Sequence, residues 1–122
     1  MRKKTGLTNA EMKLAEIIWQ FSPIPSIKLI KIVEEKFGWK RTTTYTILKR
    51  IIIKGVVENE NAVVRAIQNR DEFFAIQSHN FVKDAFDGSL PMFVASFIGG
   101  NKISAELAEE LKQLIDDHTE ES

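Results

Sequence analysis

The chain has 122 residues, of which 43% are hydrophobic and 28% are charged, so we expect one compact domain or two very small ones and not a disordered polymer. It contains no cysteine, which excludes disulfide frameworks, thiolate zinc sites and catalysis by a thiol. The basic N-terminus leads into no apolar segment of the kind that a signal peptide needs, so a cytoplasmic location is expected.

The formal net charge is zero, but the charges are divided unequally along the chain. Residues 1–70 carry 14 Lys and Arg against 6 Asp and Glu, a net charge of +8, whereas residues 71–122 carry 3 against 11, a net charge of −8. This asymmetry favours a first part that binds a polyanion and an acidic second part with another task. Chance segregation of solvated charges is the alternative.

Two helices are predicted in the first third of the chain. Thr8 and Glu11 have the spacing of a capping box, and apolar residues recur at helical spacing behind them, which predicts a helix over about residues 9–21. A second helix is predicted to begin with Ser26 as its cap and to end at Gly38.

The segment KRTTTYTILKR, which follows, consists largely of residue types that favour strands. However, Ile47 and Leu48 are followed by Ile51 and Ile52, a spacing near four that a strand cannot bury on one face. Residues 42–53 are therefore predicted to form a helix that is stabilised by its buried stripe and not by intrinsic preference. With the preceding helix it makes a helix-turn-helix.

Two β-prone runs come after Gly55 and flank the tripeptide Glu60-Asn61-Ala62, which predicts a small hairpin beside the third helix. Three helices followed by a hairpin is the order of a winged helix-turn-helix domain. The predicted fold class is thus mainly α with a small β-hairpin, in which residues 1–70 form the winged helix-turn-helix domain.

Residues 71–122 are predicted to form an α-helical dimerisation region. Asn69 and Glu72 have the spacing of a helix start, Pro91 and nearby glycines interrupt the pattern, and Ser104 caps a last helix. The region is too short to bury its own apolar surface, so we expect a second copy to cover it, with folding back onto the first domain as the alternative. The predicted dimer-interface residues are Phe73, Phe74, Phe81, Phe86, Phe93, Leu107, Leu111 and Leu114.

The third helix has the composition that a DNA major groove requires. Short threonines let a helix approach the groove, their hydroxyl and methyl groups can contact base edges, and cations neutralise phosphates or, for arginine, bind guanine. Together with the charge of +8, this predicts a domain that binds double-stranded DNA. Spare hydroxyls at a helix start are the alternative. The predicted DNA-binding residues are Lys40, Arg41, Thr42, Thr43, Tyr45, Thr46, Lys49, Arg50 and the wing cation Arg65.

Two other classes of function are alternatives to DNA binding. An enzyme has little support, because His79 and His118 are far apart and neither an HExxH motif nor a glycine-rich phosphate loop occurs. No catalytic residue, metal site or cofactor is predicted. A winged helix that serves only as a protein-interaction module stays open, and salt-dependent binding to duplex DNA distinguishes the two functions.

Three segments of the chain resemble the BlaI/MecI penicillinase repressors and their copper-responsive CopY relatives, namely LTNAEMKLAEIIW, WKRTTTYTILKRIIIKG and LAEELKQLIDD. The similarity covers about residues 6–117. It implies a homodimeric winged-helix transcriptional repressor that binds inverted repeats in promoters. In the antibiotic-resistance branch of the family, a membrane sensor with a zinc-protease domain triggers cleavage of the repressor in its C-terminal region, which relieves repression.

The same resemblance places the candidate cleavage site at Ser96-Phe97. The family's scissile bond precedes a phenylalanine, usually after asparagine, and this chain has serine at that place. Core packing is the alternative role of Phe97. The copper-responsive branch carries a C-terminal cysteine cluster that this sequence lacks, so copper sensing by thiolates is excluded. The predicted wing tip lacks the basic residues often found there, so weak wing contacts to phosphate are expected.

Overall fold

The computed structural model describes residues 6–120, and within this range it has six helices and three short strands. In chain order they are α1 (Asn9–Phe21), β1 (Ile24–Pro25), α2 (Ser26–Phe37), α3 (Arg41–Ile53), β2 (Val57–Glu60), β3 (Val63–Ala66), α4 (Arg70–Phe86), α5 (Leu90–Ile98) and α6 (Ala105–Asp117). The predicted fold class is confirmed, since the chain is mainly helical and has a small antiparallel hairpin after the third helix. No helix in the described range is long and apolar enough to cross a membrane.

The first helix begins with the predicted capping box. The Glu11 backbone N–H donates to the Thr8 hydroxyl at 3.2 Å, and the Thr8 N–H donates to the Glu11 carboxylate at 2.9 Å. These two bonds satisfy backbone donors that a helix start otherwise leaves free. The helix ends at Phe21, as the sequence predicts.

The start of α2 differs from the prediction. Pro25 and not Ser26 occupies the N-cap position, no side chain caps the helix, and Ser26 is its first residue. The Ser26 N–H instead donates to the Ala62 carbonyl at 2.8 Å. The preceding dipeptide forms the unpredicted strand β1, in which Ile24 pairs with Val64. A two-residue strand has no periodicity of its own, so its partner and not its sequence defines it.

The segment rich in threonine is a helix, as its apolar spacing predicts, and this helix is α3. Its buried residues are Thr44, Ile47, Leu48 and Ile51, which lie on one face at helical spacing. Gly55 follows with a φ of 80°, a left-handed conformation that glycine adopts without steric cost. Gly38 ends α2 with a φ of 70°, as the sequence predicts, and residues 38–40 link α2 to α3.

The three strands form one sheet in the order β1-β3-β2, with both pairs antiparallel. The pair β2–β3 is the predicted wing, and its register places Val57 opposite Ala66 and Glu60 opposite Val63. The sheet and the first three helices enclose a core that excludes solvent. Its fully buried side chains include Leu14, Ile18, Leu29, Val33, Ile51, Val56, Val57 and Val64.

The chain divides into two compact units, the first ending at Asn80 and the second beginning at Phe81. The transition lies inside α4, whose start has the predicted cap: the Glu72 N–H donates to the Asn69 side chain at 2.8 Å. The first eleven residues of α4 thus belong to the same compact unit as the winged helix. A functional division after residue 70 stays a prediction.

The second unit consists of the end of α4 together with α5 and α6. Ser89 and Ser104 cap these two helices, accepting from the N–H groups of Met92 at 3.2 Å and Leu107 at 3.1 Å. Neither α5 nor α6 has a buried residue. A row of ring contacts, with centroids 5.7–6.1 Å apart, joins Phe81, Phe86, Phe93 and Phe97.

Candidate nucleic-acid interface

The solvent side of α3 is a continuous polar and cationic surface. Opposite the buried stripe, the exposed residues lie at helical spacing, so they share one face. A shallow groove of about 270 Å³ runs along this face, lined by Thr42, Thr43, Thr46, Ile47 and Arg50. We call the exposed set the recognition face, and it consists of Thr42, Thr43, Thr46, Lys49 and Arg50.

The threonines of α3 divide by what their hydroxyls contact. The Thr46 hydroxyl donates to the Thr42 carbonyl at 2.9 Å, and the buried Thr44 hydroxyl donates to the Lys40 carbonyl at 3.3 Å. The hydroxyls of Thr42 and Thr43 have no partner among the described residues. The donor of the Thr46 hydroxyl is therefore already used and its acceptor lone pairs remain, whereas Thr42 and Thr43 also have a free donor.

The cations on and next to the recognition face are not paired with acidic side chains in the described part of the chain. Lys40, Arg41, Lys49 and Arg50 are all exposed, and none forms an ion pair within the described part of the chain. The Arg41 guanidinium lies over the half-buried Tyr45 ring, 5.7 Å from its centroid. Unpaired exposed cations gathered on one helix are the arrangement that a phosphate backbone neutralises.

The wing contributes less positive charge than the recognition face. The Arg65 guanidinium lies 3.7 Å from the Glu58 carboxylate on the paired strand, and both side chains are about half exposed. The turn that joins the strands consists of Asn61 and Ala62, neither of which is charged. The cation predicted to bind DNA from the wing thus already has an acidic neighbour.

The predicted dimer-interface residues lie in both units. Phe73 belongs to the first unit, where its ring packs on Trp19 and is only 3% exposed. The chain itself already covers this side chain, so little of it is left for a partner to contact, and its role at a dimer interface stays a prediction. Its neighbour Phe74 is half-buried beside the same indole, with ring centroids 6.2 Å apart.

The six remaining predicted residues belong to the second unit and retain apolar surface. Phe81 is 55% exposed and Leu114 is 57% exposed, and Leu107 and Leu111 are also exposed. Phe86 and Phe93 are half-buried in the row of rings. A partner could cover all six, so their role at a dimer interface stays a prediction.

The candidate cleavage site lies in the last turn of α5. Ser96 is exposed, and Phe97 is 78% exposed although its ring is 6.1 Å from that of Phe93. The packing role considered for Phe97 is thus limited to one side of the ring. Gly99 ends the helix with a φ of 58°.

One charged pair was not anticipated from the sequence. Glu11 is 2% exposed, and its carboxylate lies 2.5 Å from the Lys54 ammonium at the end of α3. Burial acts to raise the pKa of Glu11, but hydrogen bonds from Lys54 and Thr8 and the charge of Lys54 outweigh it, so that the pKa is lowered. The partners are 43 residues apart, and a local pattern cannot reveal such a pairing.

A second cleft in the first unit lies away from the recognition face. It has a volume of about 870 Å³ and is bounded by parts of α1, α2, β3 and α4. Its polar groups are used within the unit: Ser22 accepts from the Ala66 N–H at 2.9 Å, and Glu16 pairs with Arg70 at 2.9 Å. These contacts stabilise the packing of the unit and do not assemble a nucleophile with a base.

Comparison with known proteins agrees with the architecture. Residues 7–117 match the family model described as penicillinase repressor. The chain is also 30% identical over 122 residues to the penicillinase repressor of Bacillus licheniformis, an alignment that covers 97% of this chain and 95% of that protein. The chain therefore belongs to the penicillinase repressor family, whose members are regulatory DNA-binding proteins and not enzymes.

Proposed function

We propose that this transcriptional repressor works as a homodimer that binds inverted-repeat operator DNA with the recognition face of each α3. The observation that carries the proposal is the pairing of uncompensated cations with short hydroxyl side chains on one exposed helix face. Lys49 and Lys40 would neutralise phosphates, and Arg50 has the fork geometry that binds a guanine edge. Thr42, Thr43 and Thr46 would contact base edges, because short side chains let the backbone approach the groove.

The helices of the second unit support dimerisation. No side chain of α5 or α6 is buried, although Leu107, Leu111 and Leu114 lie at helical spacing on α6. A second copy of the chain would cover this apolar surface, and it would also bring a second recognition face to the operator. Linking the two half-site contacts raises the effective concentration of the second one, so the dimer binds far more tightly than one unit alone.

Relief of repression would follow from cutting the chain within the second unit. The exposed Ser96-Phe97 bond lies before α6, so a cut there separates the leucines of α6 from the rest of the proposed dimer surface. We propose that a membrane sensor-protease that responds to a β-lactam or cell-wall signal makes this cut. Loss of the dimer then lowers affinity for the operator, because each recognition helix binds alone.

The test is selection of duplexes from a random pool by the full-length protein, followed by affinity measurements over a range of salt concentrations. We expect one inverted repeat to be enriched and log Kd to change linearly with log salt concentration. A protein that selects no sequence and whose weak DNA binding does not depend on salt would instead be a winged-helix protein-interaction module. Sedimentation of the free protein tests the dimer separately, and a monomer at micromolar concentration would contradict it.

A further inference from the structure

We infer that the Glu11–Lys54 ion pair positions the recognition helix and thereby sets how well the protein discriminates between DNA sequences, without itself contacting DNA. This inference rests on the proposed function, because it assigns a role within operator recognition to two residues outside the recognition face. Three features of the pair support the inference: its position between α1 and α3, the fixed orientation of the Glu11 carboxylate, and the bonds that Lys54 already makes within the protein.

The pair joins the end of α3 to the start of α1. Lys54 is the C-cap residue of α3, directly after the last helical residue. Its ammonium lies 2.5 Å from the Glu11 carboxylate and donates to the Gly6 carbonyl at 3.0 Å. One end of the recognition helix is therefore bonded to two points that are more than 40 residues away in sequence.

The anchor itself is held in a single orientation. The Glu11 carboxylate also accepts the Thr8 backbone N–H at 2.9 Å, which completes the capping box of α1. Its side chain is only 3% exposed, so the surrounding core leaves it little room for another rotamer. Lys54 thus bonds to a carboxylate whose position is fixed by α1.

The pair adds a directional restraint to the apolar packing of α3. The stripe on the buried face of α3 is held by hydrophobic contacts, which are not directional. A charge-assisted hydrogen bond is directional and short. The surface of a helix lies about 5–6 Å from its axis, so a rotation of about 10° moves an exposed side chain by about 1 Å. That displacement is about twice the width of the range of donor–acceptor distances, about 2.7–3.2 Å, within which an N–H group bonds well to a base edge.

The charge of Lys54 is already used within the protein. Its side chain is 23% exposed and donates to two oxygens, whereas Lys49 on the recognition face is exposed and has no acidic partner within residues 6–120. Removal of Lys54 should therefore leave the number of phosphate contacts unchanged. This property separates a positioning residue from a phosphate-binding residue in the experiment.

The experiment compares the full-length protein with the double variant Glu11→Gln/Lys54→Met. Glutamine at this position keeps a capping-box acceptor for Thr8, and methionine fills the space of the lysine stem without leaving a buried charge unpaired. The probes are the duplex that the unmodified protein selects from a random pool and a scrambled duplex of the same composition. Affinity for both is measured over a range of salt concentrations, and folding is monitored by circular dichroism and thermal unfolding.

We expect the double variant to remain folded and to lose about tenfold in the ratio of selected to scrambled affinity, the size of one impaired base contact. Its affinity for the scrambled duplex and its salt dependence should stay unchanged. The matched control is Glu16→Gln/Arg70→Met, which removes an ion pair of the same unit that joins α1 to α4 and does not involve α3. That control should keep the selected-to-scrambled affinity ratio of the unmodified protein.

Three outcomes would overturn the inference. If the double variant keeps the selected-to-scrambled affinity ratio of the unmodified protein, the pair has only a structural role. If the control variant loses as much of this ratio as the double variant does, the effect is not specific to the pair. A salt dependence that becomes shallower by about one unit makes Lys54 a phosphate contact instead. If the unmodified protein selects no sequence at all, it is the proposed operator binding that fails, which is a different result.

Discussion

The indole of Trp19 packs on the ring of Phe73, with centroids 5.5 Å apart, and donates its N–H to the Gln68 carbonyl at 2.8 Å. This contact makes the beginning of α4 part of the core of the first unit. Arg70 adds a second connection, since its guanidinium pairs with Glu16 and lies 4.7 Å from the centroid of the Phe74 ring. A fragment that ends at residue 70 lacks both phenylalanines and with them one wall of the core.

The contribution of Phe73 can be measured in the fragment 1–80. We expect Phe73→Ala to lower its free energy of unfolding by about 3–5 kcal/mol, because the substitution leaves a cavity in a closed core. Ile76→Ala on the same helix is the control, and it should cost much less because Ile76 is 42% exposed. Urea unfolding followed by circular dichroism gives both values, and the fragment 1–70 should unfold at lower urea concentration than 1–80. Equal stability of the two fragments would contradict this account of the core.

The wing turn is a second place where stability can be tested. Asn61 and Ala62 have φ angles of 54° and 61°, a left-handed pair that suits a two-residue hairpin turn. Asparagine tolerates this region, but alanine does so at a cost of about 1–2 kcal/mol. Ala62→Gly should therefore raise the free energy of unfolding by up to about 1 kcal/mol once the extra freedom of glycine in the unfolded chain is included. Ala66→Gly in β3, where no left-handed φ occurs, is the control and should lower the free energy of unfolding instead. Thermal unfolding of both variants measures the two effects.

The pH dependence of stability should contain a contribution from Glu11. Its folded-state pKa is lowered below the ordinary value of 4.5, so the unfolded chain binds the proton at a higher pH than the folded chain does. The stabilisation is then fully present above pH 4.5 and is lost as the pH falls through the folded-state pKa. We expect the difference in free energy of unfolding between the unmodified protein and Glu11→Gln to shrink below pH 4.5. A difference that stays constant from pH 7 to pH 3 would show that the carboxylate is not held by Lys54.

The local signals in the sequence predicted the first four helices and the wing well. The reason is that each depends on residues close together in the chain: the Thr8 and Asn69 caps act three residues ahead, and the stripe of α3 repeats every three to four positions. For α3, the helical spacing of the apolar residues predicted the structure better than the strand preference of the threonines did. Ser26 is not the cap because α2 begins one residue earlier than predicted: Pro25 occupies the N-cap position, and the Ser26 N–H donates to Ala62, 36 positions further along the chain.

The features that the sequence did not reveal are contacts between residues that lie far apart in the chain. Spacing identifies Phe73 as apolar, but not whether Trp19 or a second chain covers it. The same holds for Glu11, whose capping role is visible in the sequence whereas its bond to Lys54 is not. On α3, the residues predicted to bind DNA are exposed except for the half-buried Tyr45, and the structure adds that the Thr46 hydroxyl donates to the helix backbone.

Substitutions on α3 test which side chains contact bases. Thr43→Ala and Thr46→Ala should each reduce discrimination between the selected and the scrambled duplex by about 1–3 kcal/mol if each side chain makes a good base contact. Lys49→Ala should weaken binding to both duplexes and make the salt dependence shallower by about one unit, since it removes a phosphate contact. Titrations at several salt concentrations measure both quantities.

The control for these substitutions lies on the same helix. Thr44 is fully buried, so Thr44→Val removes a hydroxyl of α3 without changing the recognition face. This variant should keep its discrimination even if its stability falls. If Thr44→Val loses discrimination as strongly as the other two threonine variants, the effect comes from the helix as a whole and the assignment of the recognition face is wrong.

The last prediction concerns a labile site within residues 94–101. A protease binds its substrate in an extended form, so the bond must leave the helix first, and the terminal turn of a helix opens at the lowest free-energy cost. Ser96-Phe97 lies in that turn of α5, and Gly99 and Gly100 directly after it weaken helix formation further. Both residues are exposed, so opening this turn uncovers little apolar core. We therefore expect cleavage between Ser96 and Phe97 to occur first and to release DNA.

Limited proteolysis of the free and operator-bound protein, with mass mapping of the fragments, measures this directly. The bond before Phe93 is an internal control, because Phe93 is half-buried in the same helix and contacts Phe81, Phe86 and Phe97. It should resist cleavage under conditions that cut before Phe97. The same mapping in cells exposed to a β-lactam tests the sensor-protease. If every fragment from those cells keeps the Ser96-Phe97 bond intact while repression is relieved, some other signal must release this repressor from DNA.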